Sequence, residues 1–240
     1  MENLIKDNLT TQFQSNTLND HGIVHGFGPD NVITIDNLFD SHFVSEYEFW
    51  MMTDQKWAID NTANRYSKPY GLEGYHKFLA ITHFMFPDTF NPDFSGIPKV
   101  LSTIHEACTR HLGIQDSFLS AIQSNAMPYK LHGSWHKDVG GVYNPMFNGI
   151  VAVDQMYTLM FFGNSIWKDE WGGKFYYKDK SNKEHSIDYV PGRVILFPAV
   201  FDHRADAPED KYQFRLSTVF RLIMSIEWVF NNTEPSTPSS

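Results

Sequence analysis

VPGRVILFPAVFDHRADAPEDKYQFRLSTVF, Val190–Phe220, decides how the rest of the chain is read. Val194 to Phe197 forms a short apolar strand, a polar corner carrying His203 follows, and a second strand begins at Phe214 with Arg215 near its head. A histidine leaving one core strand and an arginine entering the next set a metal ligand beside an anion clamp. The complement lies upstream, in His136-Lys137-Asp138. Residues two apart on an extended strand point to the same side, so this imidazole and carboxylate can reach one ion. With 11 histidines in the chain the triplet is weak by itself, and a surface hydrogen-bonded pair is its plain alternative.

From about Phe118 the apolar runs are short and punctuated by turns: Phe118 to Ile122, Tyr157 to Phe162, Lys174 to Tyr177, Ile187 to Val190, Val194 to Phe197, and Phe214 to Ile226. Such runs after a helical half predict an antiparallel sandwich or barrel with helices against one face. An aromatic content of 15%, with 20 Phe, suits a β-rich core. Upstream, Val32, Ile33 and Ile35 make a first short strand. Helices are expected from Ser41, as N-cap, through Trp50, from about Tyr75 to Met85, and from Pro98 to Leu112. The last carries Val100, Leu101, Ile104, Ala107, Cys108 and Leu112 on one stripe, with Gly113 as its stop.

Residues 1–30 read as an N-terminal arm, 60–74 as a loop, and 231–240 (NNTEPSTPSS) as a flexible tail. Val139 to Asp154 is a long loop of the kind that forms a lid over a site. The span 31–230 is then one domain, with helical support at about 40–113 and a β core at about 118–228.

Composition narrows the function. A net charge of −9 argues against nucleic acid, whose phosphates call for Lys and Arg. A single cysteine, Cys108, excludes an internal disulfide and fits a reducing compartment. No run has the length of a membrane span, and the N-terminus has no signal-peptide core, so the expectation is a cytoplasmic protein without a membrane partner.

Two imidazoles and one carboxylate on one face of an ion leave the opposite face open, as in non-haem Fe(II) oxygenases. A zinc site would instead use His132 and His136, but Pro128 and Gly133 disfavour the helix that would align them. The ordered set is Tyr129, His136-Lys137-Asp138, YTLMFFGNSIWKDEWGGKFYY (Tyr157–Tyr177), VPGRVILFPAVFDHRADAP and Arg215-Leu216-Ser217. Over about Ile122 to Leu222 it resembles the 2-oxoglutarate- and Fe(II)-dependent dioxygenases, in particular their prolyl 4-hydroxylase-like branch.

The resemblance implies an α+β fold with a mainly β core, a double-stranded β-helix (jelly roll) buttressed by helices of the N-terminal half. It implies His136, Asp138 and His203 as the catalytic iron ligands, and Arg215, with Ser217 beside it, as the clamp on the distal carboxylate of 2-oxoglutarate. Tyr129 and Thr158, with Met160, would line the cosubstrate pocket. Fe(II), 2-oxoglutarate and O2 follow as cofactor and cosubstrates, with ascorbate as an accessory reductant. The implied reaction is hydroxylation of a small-molecule or peptide substrate, the acid at position 138 favouring it over halogenation.

Two positions depart from the branch: Gly172-Gly173-Lys174 stands where Gly-Gly-Glu is frequent, and Phe162 where one relative has a tyrosine contact to the cosubstrate. Trp171-Gly172-Gly173 reads as a turn needing close backbone approach. Arg204 and Arg221 read as surface or structural residues. Alternatives stay open: Arg215 paired with an acid such as Asp206, Tyr129 as a packing residue, and the barrel as a cupin-like metal-binding isomerase or a non-enzymatic module.

Overall fold

Met156–Phe162 (MYTLMFF) and Val194–Pro198 (VILFP) are buried at every position. An antiparallel strand with no polar face needs cover on both sides, and the architecture provides it. The computed structural model describes residues 23–27, 32–53, 55, 57–59, 79–85, 96–138, 143–144, 149–150 and 155–224. In chain order the elements are β1 (Ile23–Phe27), β2 (Ile33–Asp36), α1 (Ser41–Thr53), β3 (Ala58–Ile59), β4 (Leu79–Met85), α2 (Lys99–Leu112) and β5 (Phe118–Met127). Then come β6 (Tyr143–Asn144), β7 (Gly149–Ile150), β8 (Met156–Phe162), β9 (Phe175–Lys178), β10 (Glu184–Ile187), β11 (Val194–Pro198), β12 (His203–Ala205) and β13 (Arg215–Ile223).

The large sheet runs β1-β2-β11-β8-β13-β5-β4-β3, and a second sheet runs β10-β9-β12. Every strand pairing in them is antiparallel. This is a jelly-roll core with helices on one side. Period-two alternation divides the large sheet between two cores. On the helix side, Leu159, Phe161, Val194, Leu196, Leu216 and Phe220 pack against Phe43, Val44, Tyr47, Leu101 and Ile104 of the two helices. On the other side, Met160, Phe162, Ile195, Phe197 and Val219 meet Phe175 and Tyr177 of the small sheet. The functional side chains lie between the two sheets on this second side.

α1 locks onto the sheet through Tyr47, whose hydroxyl lies 2.5 Å from Thr218 Oγ1. A Cβ on Gly163 would fall 2.1 Å from the Tyr47 ring, so the ring's close approach requires glycine there. α2 ends as expected, with Gly113 left-handed at φ 67° and Ile114 N–H closing on Thr109 O at 2.8 Å.

Four expectations are revised. The α1 cap is Asp40, whose Oδ1 accepts from Phe43 N–H at 2.7 Å, rather than Ser41. Of the helix expected from about Tyr75 to Met85, Leu79–Met85 is instead strand β4, held in register by β5 and β3, and residues 75–78 lie outside the described residues. LAITHFM mixes β-branched and aromatic residues, and the long β5 edge outweighs its helical spacing. The strand expected at Ile187–Val190 lies earlier, at β10, because its alternating half-exposed residues carry little apolar signal. Part of the expected arm, Ile23–Phe27, pairs with β2 as a sheet strand. The rest of the arm, the loop at 60–74, the tail and most of the lid candidate lie outside the described residues; β6 and β7 within the lid span pair with each other. No helix among the described residues is long and apolar enough to cross a membrane.

Candidate metal and anion site

The site begins with a backbone bridge. His136 N–H donates to His203 O at 3.0 Å and His203 N–H to His136 O at 2.9 Å, an antiparallel pair that sets the two imidazoles side by side with ring centroids 4.2 Å apart. Each Nδ1 lies against the carbonyl two residues earlier, His136 on Ser134 O at 2.9 Å and His203 on Phe201 O at 3.0 Å. A carbonyl only accepts, so Nδ1 carries the proton and both Nε2 lone pairs are left for an ion. Asp138 joins them: its Oδ2 is 3.5 Å from His203 Nε2 and its Oδ1 3.9 Å from His136 Nε2. One ligand atom from each of the three residues lies within 4.8 Å of the others.

Asp138 is 7% exposed and held on three sides. Its N–H donates to Ala199 O at 3.0 Å, Thr158 Oγ1 donates to Oδ2 at 2.8 Å, and Arg221 Nη2 to Oδ1 at 3.4 Å. Thr158 and Arg221 are cross-strand partners of β8 and β13, so the register alone brings both to one carboxylate. Burial works to raise the Asp138 pKa, but His203, Arg221, His136 and the Thr158 hydroxyl together hold it well below the usual carboxylate range. Burial, reinforced by His136, pulls His203 down to about 4. At neutral pH the site therefore offers an ionised carboxylate and a neutral His203, the forms a divalent ion requires.

Arg215 opens the other half of the site. It is 1% exposed, with no carboxylate partner among the described residues. Nε donates to Gly173 O at 2.8 Å, Nη1 lies 3.4 Å from Ser217 Oγ, and Nη2 has no partner. Gly172 and Gly173 both have positive φ, 65° and 76°, and a Gly173 Cβ would sit 2.8 Å from the Trp167 ring. The Gly-Gly turn is thus what lets the carbonyl meet the guanidinium. Phe162 and Tyr189 lie 5.0 and 4.9 Å from its central carbon. The Tyr189 hydroxyl is anchored below, 2.7 Å from Asn164 Oδ1 and 2.6 Å from Leu216 O. Asp206, the acid weighed as a partner, is taken by Arg204 and His132 instead. Burial pulls the Arg215 pKa down to about 10, so it stays charged at neutral pH.

One pocket joins these groups: His136, Asp138, His203, Arg215, Ser217 and Met160 all line it. Thr158 touches Asp138 rather than the cavity. Tyr129 is not brought to the pocket: it is 36% exposed and lines an outer groove with Lys168, Trp171 and Tyr212. Among the polar lining residues, Arg221, Gln123 and Asn125 escaped sequence reasoning. Arg221 had an available signal, since even spacing from Arg215 through Ser217 and Val219 puts all four on one strand face.

The donor set, with its anchored Nδ1 atoms and open face, fits Fe(II) or a similar divalent ion. The orphaned, buried Arg215 Nη2 fits the carboxylate of a dianionic cosubstrate.

No protein-family profile matches the chain, and no curated protein matches it in sequence. Solved structures do match in shape. A prolyl hydroxylase in complex with a hypoxia inducible factor oxygen degradation domain peptide fragment, from Trichoplax adhaerens, superposes with TM-score 0.56 at 14% identity, over 98% of this chain and 97% of that one. HygX from Streptomyces hygroscopicus, with nickel and 2-oxoglutarate bound, gives 0.55 at 11% identity over 83% and 85%. The non-heme alpha ketoglutarate dependent carbocyclase SnoK from nogalamycin biosynthesis gives 0.55 at 10% identity over 88% and 90%. The fold is that of the 2-oxoglutarate–Fe(II) oxygenases, prolyl hydroxylases among them.

Proposed function

We propose that this protein is a 2-oxoglutarate-dependent Fe(II) dioxygenase of prolyl 4-hydroxylase-like type. The observation that carries the reading is the pairing, in one pocket, of the His136–Asp138–His203 triad with a fully buried arginine that has no carboxylate partner among the described residues. An unpaired buried charge is costly, and the placement makes sense when a ligand supplies the partner.

His136, Asp138 and His203 would hold the ion, with Thr158 orienting the Asp138 carboxylate. Arg215 would bind the far carboxylate of 2-oxoglutarate, steadied by Gly173, Phe162 and Tyr189, with Ser217 beside it. Fe(II) bound there supplies the coupled oxidation: 2-oxoglutarate, O2 and a substrate C–H bond give succinate, CO2 and the hydroxylated product. The apolar wall of Met160, Phe175 and Val219 keeps bulk water from the reacting centre. The substrate is a small molecule or a peptide; the Trichoplax neighbour is a peptide complex.

The test is succinate formation from 2-oxoglutarate under air with Fe(II) and ascorbate, without added substrate. Slow uncoupled turnover that disappears in Asp138→Ala and Arg215→Ala supports the reading. Turnover equal in wild type and both variants, or none in any, contradicts it.

A further inference from the structure

Arg221 also lines the pocket, and nothing in the proposed reaction uses it beyond its long contact with Asp138. It stands six residues from Arg215 on the same face of β13, a separation of about 20 Å along the strand. Register places Gln123 opposite Val219 on β5, at the Arg221 end of the pocket, whereas Met127 lies opposite Arg215. The pocket thus has two cationic ends. At the Arg221 end, Nε is buried without a hydrogen-bond partner among the described residues, and Gln123 adds an amide group; Asn125, which accepts from Gln123 Nε2 at 3.4 Å, lies farther along, opposite Ser217.

Charge makes the point sharper. The lining holds two arginines and one carboxylate, an excess of one positive charge in a chain whose net charge is −9. A divalent ion raises that excess to three, and the 2-oxoglutarate dianion lowers it again to one. A positive charge left over in a partly buried site calls for one more anion. A carboxylate supplies one negative charge and fits the planar guanidinium fork, whereas a phosphate brings more charge than is left to balance.

Resting on the function proposed above, we propose that Arg221, with Gln123, forms a second anion subsite that receives a carboxylate of the substrate. The substrates are then carboxylic acids, free or at a peptide C-terminus, presented to the metal from the end of the pocket opposite Arg215.

The test follows the arginine Nε–H resonances of the protein loaded with Zn(II), a diamagnetic stand-in, assigned with Arg215→Lys and Arg221→Lys. Addition of 2-oxoglutarate is expected to move Arg215. Subsequent titration with propionate and benzoate, each against its amide, is expected to move Arg221 saturably, the acid binding at least about ten-fold tighter than the amide. Arg221→Gln, checked for folding by its backbone spectrum, is expected to lose this second binding and retain the Arg215 response. Absence of a saturable Arg221 shift, or equal shifts from acid and amide, would overturn the inference alone. So would an Arg221 already displaced by 2-oxoglutarate and indifferent to further acid, since the cosubstrate would then occupy it. An Arg215 that 2-oxoglutarate leaves unmoved would instead contradict the function on which the inference rests.

Discussion

Arg215 and Arg221 share one strand and one face, yet the protein treats them differently. Arg215 is buried against Phe162 and Tyr189, its Nε fixed to a backbone carbonyl and its Nη2 without a partner among the described residues. Arg221 is 29% exposed in its side chain and leans on Asp138. On the proposed function the first is a preorganised socket, in which the desolvation cost of the cation is met during folding so that an anion can bind later without rearrangement. The second supports a metal ligand and remains within reach of solvent. Burial of a charge without its counter-ion distinguishes the Arg215 end of the pocket; Arg221, facing Asp138 and open to solvent, is the arginine proposed to meet the substrate.

The largest effect is expected at Asp138, the acid that faces Arg221. Asp138→Ala removes one of three ligands and leaves Arg221 without its acid; saturable Mn(II) binding is expected to vanish in calorimetry. Next in size is Arg215→Met. Loss of a buried, hydrogen-bonded charge pair costs about 2–5 kcal/mol, so 2-oxoglutarate affinity should fall by roughly 30-fold to a few thousand-fold. The ligand-free protein should at the same time melt no lower than wild type, because an unpaired buried charge has been exchanged for an apolar side chain. A salt-bridging structural arginine would give the opposite melting shift.

Thr158→Val removes the hydrogen bond that aims Asp138 and keeps the side-chain shape. Metal affinity is expected to drop about 10–100-fold, with the 2-oxoglutarate KM little changed at saturating metal. Acid should act through His203, whose pKa in the fold is pulled down to about 4. An unfolded histidine binds its proton near pH ~6.5, so the unfolded state takes up protons first as pH falls. The metal-free protein's Tm is therefore constant above that range and declines as pH drops through it toward 4, with a shallower decline in His203→Asn. The smallest effect is expected from Tyr189→Phe, which removes one buried hydroxyl, worth about 1 kcal/mol. It should raise the KM for 2-oxoglutarate several-fold and leave kcat unchanged.

The sequence carried the triad and Arg215 because strand periodicity and chain order are local properties. The His-x-Asp spacing is local, and so is the corner after β11 that leads to His203, although His203 itself opens strand β12, which only its pairing with β9 creates. What it did not carry depends on register. That Thr158 and Arg221 converge on Asp138 follows only from their pairing across β8 and β13. Tyr129 illustrates the converse. Its position ahead of the His-x-Asp segment suggested a pocket residue, but Pro128 ends β5, and the turn that follows carries the ring to the outer groove. β4 was misread for a similar reason: its strand form is imposed by the β5 edge, and seven residues of its own cannot announce that.

That the triad and Arg215 together hold an ion and a dicarboxylate is tested by calorimetric titration of 2-oxoglutarate into the Mn(II)-loaded protein. The expected result is one 2-oxoglutarate bound per chain, dependent on the metal and lost in Arg215→Met. Failure of the metal-loaded protein to bind 2-oxoglutarate, or undiminished binding in Arg215→Met, would contradict the claim.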